Sequence, residues 1–389
     1  MNCFLKREVE VFLMIHDFSD LLLNLSYCLN FIIPKKNNKV IFYSSPDYSD
    51  NARALYEELV REELDKEFDV VWVVKAFDKY NKQLNNVKVV KHRTLRSLWH
   101  FCTSKYIVRT HSLWGNQYVQ GKQVMCIAWH GMPLKKLVSP SGERTMVKCD
   151  ILTSTSLFFD KELSEAMGLS QNVCKHVGLP RNDELFRGGN DLEIMYPDFT
   201  KRIIWMPTFR NSMSGYTDGL ETELGIPCVN RLQLEQLNEV LKSLNYLLIL
   251  KLHPWSAEKL TGIHYSNIVN LKDSDINEQV SLYKLLGQTD ALITDYSSVY
   301  VDYLLINKPI CFVYDDLEEY RKTRGFWCEP IESYMPGAKV NDFEGLVKWF
   351  NSFETIDSFV KEREHLKKVF FLYPDGNSSK RTLQELLKH

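Results

Sequence analysis

Short β-rich runs alternate with helical patterns from Lys39 to the end of this chain, and this alternation constrains the fold more than any other feature. Strands that alternate with helices build βαβ units around a parallel sheet, so the predicted fold class is α/β. The clearest early helix begins at Asp50, and four later helices are predicted at 231–244, 278–287, 297–306 and 342–352. We predict strands at 39–44, 69–75, 87–91, 105–109, 123–128, 150–153 and 173–177 in one series, and at 202–206, 246–252, 267–270, 290–294 and 309–313 in a second.

The stretch 186–200 separates the two series of strands and is rich in glycine, asparagine and proline, which is typical of a link between domains. A chain of 389 residues is long enough for two domains. We therefore predict an N-terminal element at 1–33, a first α/β domain at 34–187 and a second α/β domain at 188–389.

Composition excludes several classes of protein. The chain carries 48 basic and 50 acidic residues, so it offers no overall positive field for a nucleic-acid backbone. Nine cysteines are scattered without a Cys-x-x-Cys pair, which argues against a disulfide framework and a structural zinc site. We expect no nucleic-acid partner and a reducing compartment, the cytoplasm.

The N-terminal element at 1–33 has two interpretations. It is apolar but contains no run of eighteen apolar residues, so it does not predict a membrane-spanning helix. Acidic residues follow its first basic pair directly, which argues against a signal peptide. The element is either an amphipathic helix packed on the body or a helix lying in the membrane interface, flanked by Lys6, Arg7, Lys35, Lys36 and Lys39.

Two histidines follow predicted strands directly. His130 comes after the strand 123–128 and is followed by glycine and proline, and His253 comes after the strand 246–252. In open α/β sheets ligands bind at the carboxyl ends of the strands, where a histidine can act as a general base. One histidine from each predicted domain would then face a cleft between them.

Anion-binding residues follow two further strands. Arg210 lies just past 202–206, where its guanidinium could clamp a phosphate, with the loop 211–219 folding over it. Thr294 ends the strand 290–294, and Ser297 and Ser298 open the next helix. Their hydroxyls and the free N–H groups at a helix start suit an anion. Plain capping of the helix is the alternative, but a cap needs one polar side chain, and Thr294, Asp295, Ser297 and Ser298 together favour a ligand such as a diphosphate.

Other catalytic motifs are missing. The sequence has no phosphate loop of the Gly-x-x-x-x-Gly-Lys-Ser/Thr type, no Gly-x-Gly-x-x-Gly and no His-Glu-x-x-His. The spacing in Asp273-Ser274-Asp275 matches metal-dependent sugar transferases, but a polar loop surrounds it and a solvated turn is favoured. We predict no protein-bound metal ion and no cofactor.

Several stretches together resemble, in order along the chain, those of the CDP-glycerol glycerophosphotransferase family of teichoic acid primases and polymerases. The resemblance runs from about residue 35 to the C-terminus. It is carried by Trp129-His130-Gly131-Met132-Pro133-Leu134-Lys135, Gly178-Leu179-Pro180-Arg181-Asn182-Asp183, Pro207-Thr208-Phe209-Arg210, Leu252-His253-Pro254 and Thr294-Asp295-Tyr296-Ser297-Ser298.

This resemblance implies a GT-B architecture, with two Rossmann-like domains and an active site between them. It implies transfer of a polyol phosphate from CDP-glycerol or a related CDP-polyol to a hydroxyl of a lipid-linked saccharide acceptor, with release of CMP. The enzyme would be bacterial and peripheral at the cytoplasmic face of the cell membrane, in teichoic acid or capsule synthesis. His130 is the implied base. The other implied site residues are His253, Arg210, Thr294, Ser297 and Ser298 at the diphosphate, Asp302 at the polyol, and Arg181, Asn182 and Asp183 as further candidates.

Two other functions share these features. A GT-B glycosyltransferase would use the same fold and diphosphate site but take a nucleotide-sugar donor and release UDP or GDP. A membrane-associated scaffold with a transferase fold would bind donor without turnover. The nucleotide that leaves, if any, separates the three.

Overall fold

The computed structural model of the chain describes residues 26–389 apart from 85, 115–117, 138–146, 211–217, 221, 261, 273–274, 277–279 and 356. Within these residues two parallel sheets form, one from each series of predicted strands. The first sheet contains β1 (Lys36–Tyr43), β2 (Asp69–Val74), β3 (Lys88–Lys91), β4 (Ser104–Arg109), β5 (Val124–Ile127), β6 (Ile151–Thr153) and β7 (Cys174–Lys175). The second contains β8 (Lys201–Trp205), β9 (Tyr246–Leu250), β10 (Ile268–Asn270), β11 (Ala291–Thr294), β12 (Ile310–Val313) and β13 (Ala338–Val340).

Helices connect the strands and cover both faces of the sheets. The described end of α1 spans 26–32. The first domain adds α2 (Asp50–Arg61), α3 (Phe77–Gln83), α4 (Leu95–Thr103), α5 (Leu157–Met167) and a 3₁₀ helix at Pro180–Phe186. The remaining helices are α6 (Asp191–Met195), α7 (Arg231–Leu244), α8 (Pro254–Glu258), α9 (Leu282–Gln288), α10 (Val299–Tyr303), α11 (Leu317–Thr323), α12 (Phe343–Ser352), α13 (Val360–Phe370) and α14 (Ser378–Leu387).

Both sheets have the strand order of doubly wound folds. The first runs β3-β2-β1-β4-β5-β6-β7 and the second runs β10-β9-β8-β11-β12-β13, with parallel pairing throughout. The order reverses between β1 and β4 and between β8 and β11, and ligands bind at such switch points. All twelve predicted strands are present, whereas β13 was not predicted.

Local sequence explains why these elements form. The strand β2 reads Asp-Val-Val-Trp-Val-Val and is almost entirely buried, as expected for a strand covered on both faces. Helix α7 begins with a capping box in which Asn230 and Gln233 satisfy each other's backbone N–H groups, and it ends at Asn245 in the left-handed conformation. Its bounds match the predicted 231–244.

The last helix differs from the predicted division into domains. That division assigned α14 to the second domain, but Leu383 and Leu386 pack in an apolar cluster with Phe42 and Leu55 of the first domain. The chain therefore crosses back, and the C-terminal helix completes the first domain. A periodic helical pattern cannot show which sheet its apolar face will cover.

Backbone bonds also join the two domains directly, beside the predicted cleft. Lys136 donates its N–H to the carbonyl of Gly325 at 3.1 Å, and Trp327 donates its N–H to Leu134 at 3.2 Å. The indole of Trp327 donates to the carbonyl of Pro133 at 2.8 Å. The segment just after His130 is thus held against the second domain.

Candidate active site

His130 lies three residues past β5, and its side chain is exposed. Its ring stacks on that of His111, with centroids 5.3 Å apart, and it also contacts the tilted ring of Trp129 at 4.1 Å. Protein atoms around the cleft desolvate the imidazole and lower its pKa to about 4, against the opposing effect of Asp50. His130 is therefore neutral at physiological pH and able to accept a proton.

Gly131 brings His130 to the second domain. Its φ of +138° is one that side chains rarely adopt, and a Cβ atom there would lie 2.8 Å from Ser298 Oγ and 3.2 Å from Arg181 Nη2. The backbone beside the candidate base is thus packed against the serine that precedes α10. Ser298 of the second domain therefore lies against the residue that follows His130.

Ser297 and Ser298 lie at the start of α10, where both residues are partly exposed. The N–H of Ser297 donates to Asp295 Oδ1 at 3.2 Å. Thr294, by contrast, is fully buried, and its hydroxyl donates to the carbonyl of Met206 at 2.7 Å. Thr294 ties β11 to the end of β8 in this structure, and its contact with donor stays a prediction.

His253 occupies the corresponding place in the second domain, after β9, and it too is exposed. Its ring stacks on Phe209 with centroids 3.9 Å apart and meets Trp255 edge-on at 6.0 Å. Partial burial lowers the pKa of His253, and the charge of Lys251 acts in the same direction. The aromatic neighbours hold this imidazole in one orientation beside the 207–210 loop.

Arg210 is held by two carboxylates. Its Nη1 lies 2.8 Å from Asp295 Oδ2, and its Nε and Nη2 donate to Asp316 at 2.8 and 3.1 Å. Burial disfavours the charge, but Asp295 and Asp316 outweigh it and raise the pKa of Arg210. The guanidinium is fixed at the base of the 207–210 loop, with much of its donor capacity already used. Its predicted contact with a diphosphate stays a prediction.

Arg181 bridges the two domains. It lies 2.7 Å from Asp50 of the first domain and 2.9 Å from Asp302 of the second. The fully buried Asp302 also accepts from Asn182 at 2.9 Å and from the Tyr283 hydroxyl at 2.6 Å. This ion-pair network sets the spacing of the domains next to Gly131. The predicted role of Asp302 at the polyol remains a prediction.

Asp183, from the same motif, contacts the start of α14 from the 3₁₀ helix at Pro180–Phe186. Its two carboxylate oxygens accept the N–H groups of Ser378 and Ser379, each at 2.7 Å. Burial raises the pKa of Asp183, and these two hydrogen bonds oppose that shift. The carboxylate thus satisfies the free end of the C-terminal helix. The 178–183 motif thus holds α14 through Asp183 and joins the two domains through Arg181.

Sequence reasoning missed three residues that surround the site: His111, Phe209 as the partner of His253, and Asp316. His111 follows β4 and Asp316 follows β12. The same rule that selected His130, a polar residue at the carboxyl end of a strand, would have found both. No such signal marks Phe209.

The predictions about a metal ion and about the loop 211–219 fall partly on residues that the structure does not describe. Within the described ranges, no group of three or more His, Cys, Asp or Glu side chains is arranged to hold a metal ion. Asp273 and Ser274 lie outside the described residues, as does most of the loop 211–219. Metal-free catalysis therefore stays a prediction.

A family model described as CDP-glycerol:poly(glycerophosphate) glycerophosphotransferase matches residues 25–388. The chain belongs to this family. A teichoic acid poly(glycerol phosphate) polymerase from Bacillus spizizenii is 28% identical over 92% of this chain and 93% of its own length. A teichoic acid glycerol-phosphate transferase from Staphylococcus aureus is 26% identical over 92% of this chain and 94% of its own length.

The solved structure of the wall teichoic acid polymerase TagF has the same fold as this glycerophosphotransferase. The TM-score is 0.75 at 20% identity, over 100% of this chain and 98% of that chain. A UDP-N-acetylglucosamine 2-epimerase is more distant, with a TM-score of 0.52 at 13% identity. The predicted α/β architecture of two Rossmann-like domains is confirmed, and so are the family and the enzyme class predicted from the sequence motifs.

Replacing Ser298 in this glycerophosphotransferase by alanine is expected to weaken binding of CDP-glycerol by about 10- to 100-fold. A hydroxyl that donates to a charged oxygen contributes about 1.5–3 kcal/mol. Titration calorimetry on the Ser298→Ala protein measures the change. Ser352→Ala, a serine of α12 in the same domain, serves as the control and should bind like the wild type. Equal affinity in both variants would place the diphosphate elsewhere.

Proposed function

We propose that this glycerophosphotransferase transfers glycerol phosphate from CDP-glycerol to a hydroxyl of a lipid-linked saccharide at the cytoplasmic membrane face. The observation that carries this proposal is the packing of the His130–Gly131 backbone against Ser298. A base from one domain and an anion-binding helix start from the other then flank one point. The family description names CDP-glycerol, and one similar solved structure is a TagF variant soaked with CDPG. Both findings support CDP-glycerol as the donor.

The reaction follows from these positions. Neutral His130 accepts the proton of the acceptor hydroxyl as its oxygen attacks the phosphorus that carries glycerol. The bond from that phosphorus to the bridging oxygen breaks, and the electron pair leaves with CMP. Negative charge gathers on the phosphoryl oxygens, where the hydroxyl groups of Ser297 and Ser298 can donate. His253, whose ring stacks on Phe209, provides a second imidazole in the domain that we assign to the donor.

The leaving nucleotide tests the proposal. The full chain is incubated with CDP-glycerol, CDP-ribitol and a panel of nucleotide-sugars in the presence of a lipid-linked disaccharide. We expect release of CMP and a product heavier than the acceptor by one glycerol phosphate, measured by mass spectrometry. Release of UDP or GDP from a nucleotide-sugar would overturn the proposal in favour of a glycosyltransferase.

The described end of α1 supports attachment to a membrane surface. Its polar residues face the body, where Asn30 donates to Gln123 at 2.7 Å and is fully buried. Its apolar residues face outward, and Phe31 and Ile32 are 52% and 76% exposed. Lys122 lies 3.9 Å from the centre of the Phe31 ring. This arrangement is the reverse of a helix packed on a core, and it suits a lipid interface with anionic headgroups. Most of the predicted segment 11–33 lies outside the described residues.

The double variant Phe31→Ser/Ile32→Ser is expected to bind anionic liposomes roughly 30- to 100-fold less tightly. Two exposed apolar side chains entering the interface contribute about 2–3 kcal/mol together. Flotation at several salt concentrations measures the loss, which should grow with salt because the nearby lysines are screened. Leu232→Ser on α7, where Leu232 is 70% exposed, is the control. Unchanged flotation of the double variant would return α1 to a purely structural role. In the described residues, no helix has the length and apolarity to cross a bilayer.

A further inference from the structure

A cleft of about 580 Å³ lies beside the candidate active site, on the first domain between α2 and α3. Tyr48, from the loop after β1, and Tyr80, on α3, line it with side chains of α2 and with Arg187. A second hollow of about 270 Å³ shares Tyr48 with it, so the two form one groove. Neither the general base nor the diphosphate residues lie in this groove.

The groove has a fixed aromatic wall. The Tyr48 and Tyr80 rings lie 6.2 Å apart, and Tyr48 packs edge-on against Trp72 at 5.0 Å. The Tyr80 hydroxyl donates to the carbonyl of Asp47 at 3.1 Å, which holds the ring in place. Aromatic faces held in this way can stack against the carbon face of a sugar or polyol without paying for ordering on binding.

Cations dominate the rest of the lining. The lining of the larger cleft contains one acidic residue, Glu57, and four basic residues: Arg53, Arg61, Lys79 and Arg187. Arg53 pairs with Glu57 at 2.7 Å, Arg187 pairs with Glu184 at 2.7 Å, and Arg61 pairs with Glu58. A guanidinium has five N–H donors, so the ion pairs of Arg61 and Arg187 fix these two side chains and leave donors for a ligand. This mixture suits a ligand that is rich in hydroxyls and carries phosphate.

The position of the groove relates it to the acceptor. Arg53 lies three residues after Asp50 on α2, or about 4.5 Å along the helix axis. Asp50 accepts a hydrogen bond from Arg181, and its charge acts on His130 by raising the pKa of that imidazole. The groove therefore begins about one helical turn from a carboxylate that is electrostatically coupled to the base. An acceptor whose terminal hydroxyl reaches His130 would extend its preceding unit into this groove.

We propose that this groove binds the phosphate-bearing polyol or saccharide unit that precedes the attacking hydroxyl of the acceptor. The inference rests on the proposed function, because it assigns a place to the acceptor of that reaction. The aromatic wall would contact the carbon skeleton, and Arg61 and Arg187 would bind the phosphate.

The test compares the full-length wild type with the double variant Arg61→Gln/Arg187→Gln, whose two positions are exposed. With a soluble lipid-linked disaccharide ending in glycerol phosphate, we expect the acceptor KM to rise about tenfold while kcat and the donor KM stay unchanged. The control Lys66→Gln/Lys82→Gln removes two exposed charges of the same domain that lie outside the lining of the groove. An equal rise in the control would overturn the proposal in favour of a general charge effect.

Two further arms separate the possible outcomes. The same disaccharide without phosphate should show little difference between wild type and variant, and an equal loss for both acceptors would overturn phosphate recognition. Calorimetry with glycerol 3-phosphate, without donor, should show saturable binding that the variant loses. That measurement does not depend on turnover, whereas wild-type CMP release reports on the proposed function itself. Unchanged binding and unchanged acceptor KM in the variant would overturn the site.

Discussion

Replacement of His130 by alanine is expected to lower turnover by about 10²- to 10⁴-fold while donor affinity changes by less than about threefold. A general base contributes mainly in the transition state, and in the proposed function the donor is bound by residues of the other domain. The rate of CMP release and a calorimetric titration with CDP-glycerol measure the two quantities on the same protein. The substitution removes an exposed side chain, so we expect the fold to be retained.

The control for this prediction is another exposed histidine, His264, whose replacement by alanine should leave both quantities unchanged. Turnover at the wild-type rate in the His130→Ala protein would remove His130 from the mechanism. A parallel loss of donor affinity would instead make it a donor-binding residue. Thermal unfolding of each variant separates these outcomes from a loss of structure.

The lowered pKa of His130 suits a general base that is neutral before the substrates bind. The free enzyme holds it neutral, since desolvation by the surrounding protein atoms and nearby cations disfavour the imidazolium. A donor that carries a negatively charged diphosphate would bring opposite charge near the ring and raise its pKa toward neutrality. Proton transfer would then be most favourable when the donor is already bound.

Most of the fold could be predicted from the sequence because its strands are buried on both faces. Such strands read as unbroken apolar runs, which are easily found even when their ends are not. The strand β13 escaped because Ala338–Val340 is three residues long and follows proline and glycine, which indicate a turn. The placement of α14 escaped because helical periodicity gives an apolar face but not its partner.

The candidate site could be predicted as a set of positions but not as a set of contacts. The rule that ligands bind past the carboxyl ends of strands selected His130, His253 and Arg210, and the structure does put each of them there. It could not show that Asp316 pairs with Arg210, because 106 residues separate the two. Contacts between elements distant in sequence decide whether a charged side chain is free for a ligand.

For Arg210 we therefore predict effects on both stability and donor affinity. Arg210→Ala is expected to lower the free energy of unfolding by about 3–5 kcal/mol, because it leaves Asp295 and Asp316 buried without a counter-ion. Donor affinity should fall as well, because two uncompensated carboxylates beside the cleft repel a diphosphate even where the guanidinium makes no direct contact. Chemical denaturation and calorimetry measure the two effects. As the control, Arg231→Ala removes an exposed arginine whose partner, Glu223, is also exposed and lies 3.7 Å away. It should change stability by less than about 1 kcal/mol.

Two variants separate a direct contact from an indirect effect. Arg210→Lys keeps one positive charge but loses the fork that bonds Asp316 twice, so we expect partial recovery of stability. Arg210→Met combined with Asp295→Asn and Asp316→Asn removes the guanidinium and both carboxylate charges together, and it should recover more stability than Arg210→Ala because no buried carboxylate is left unpaired. If donor affinity stays low in that triple variant, the guanidinium contacts the diphosphate. If affinity returns with stability, Arg210 acts by holding the 207–210 loop, and the diphosphate is bound by the Ser297–Ser298 helix start.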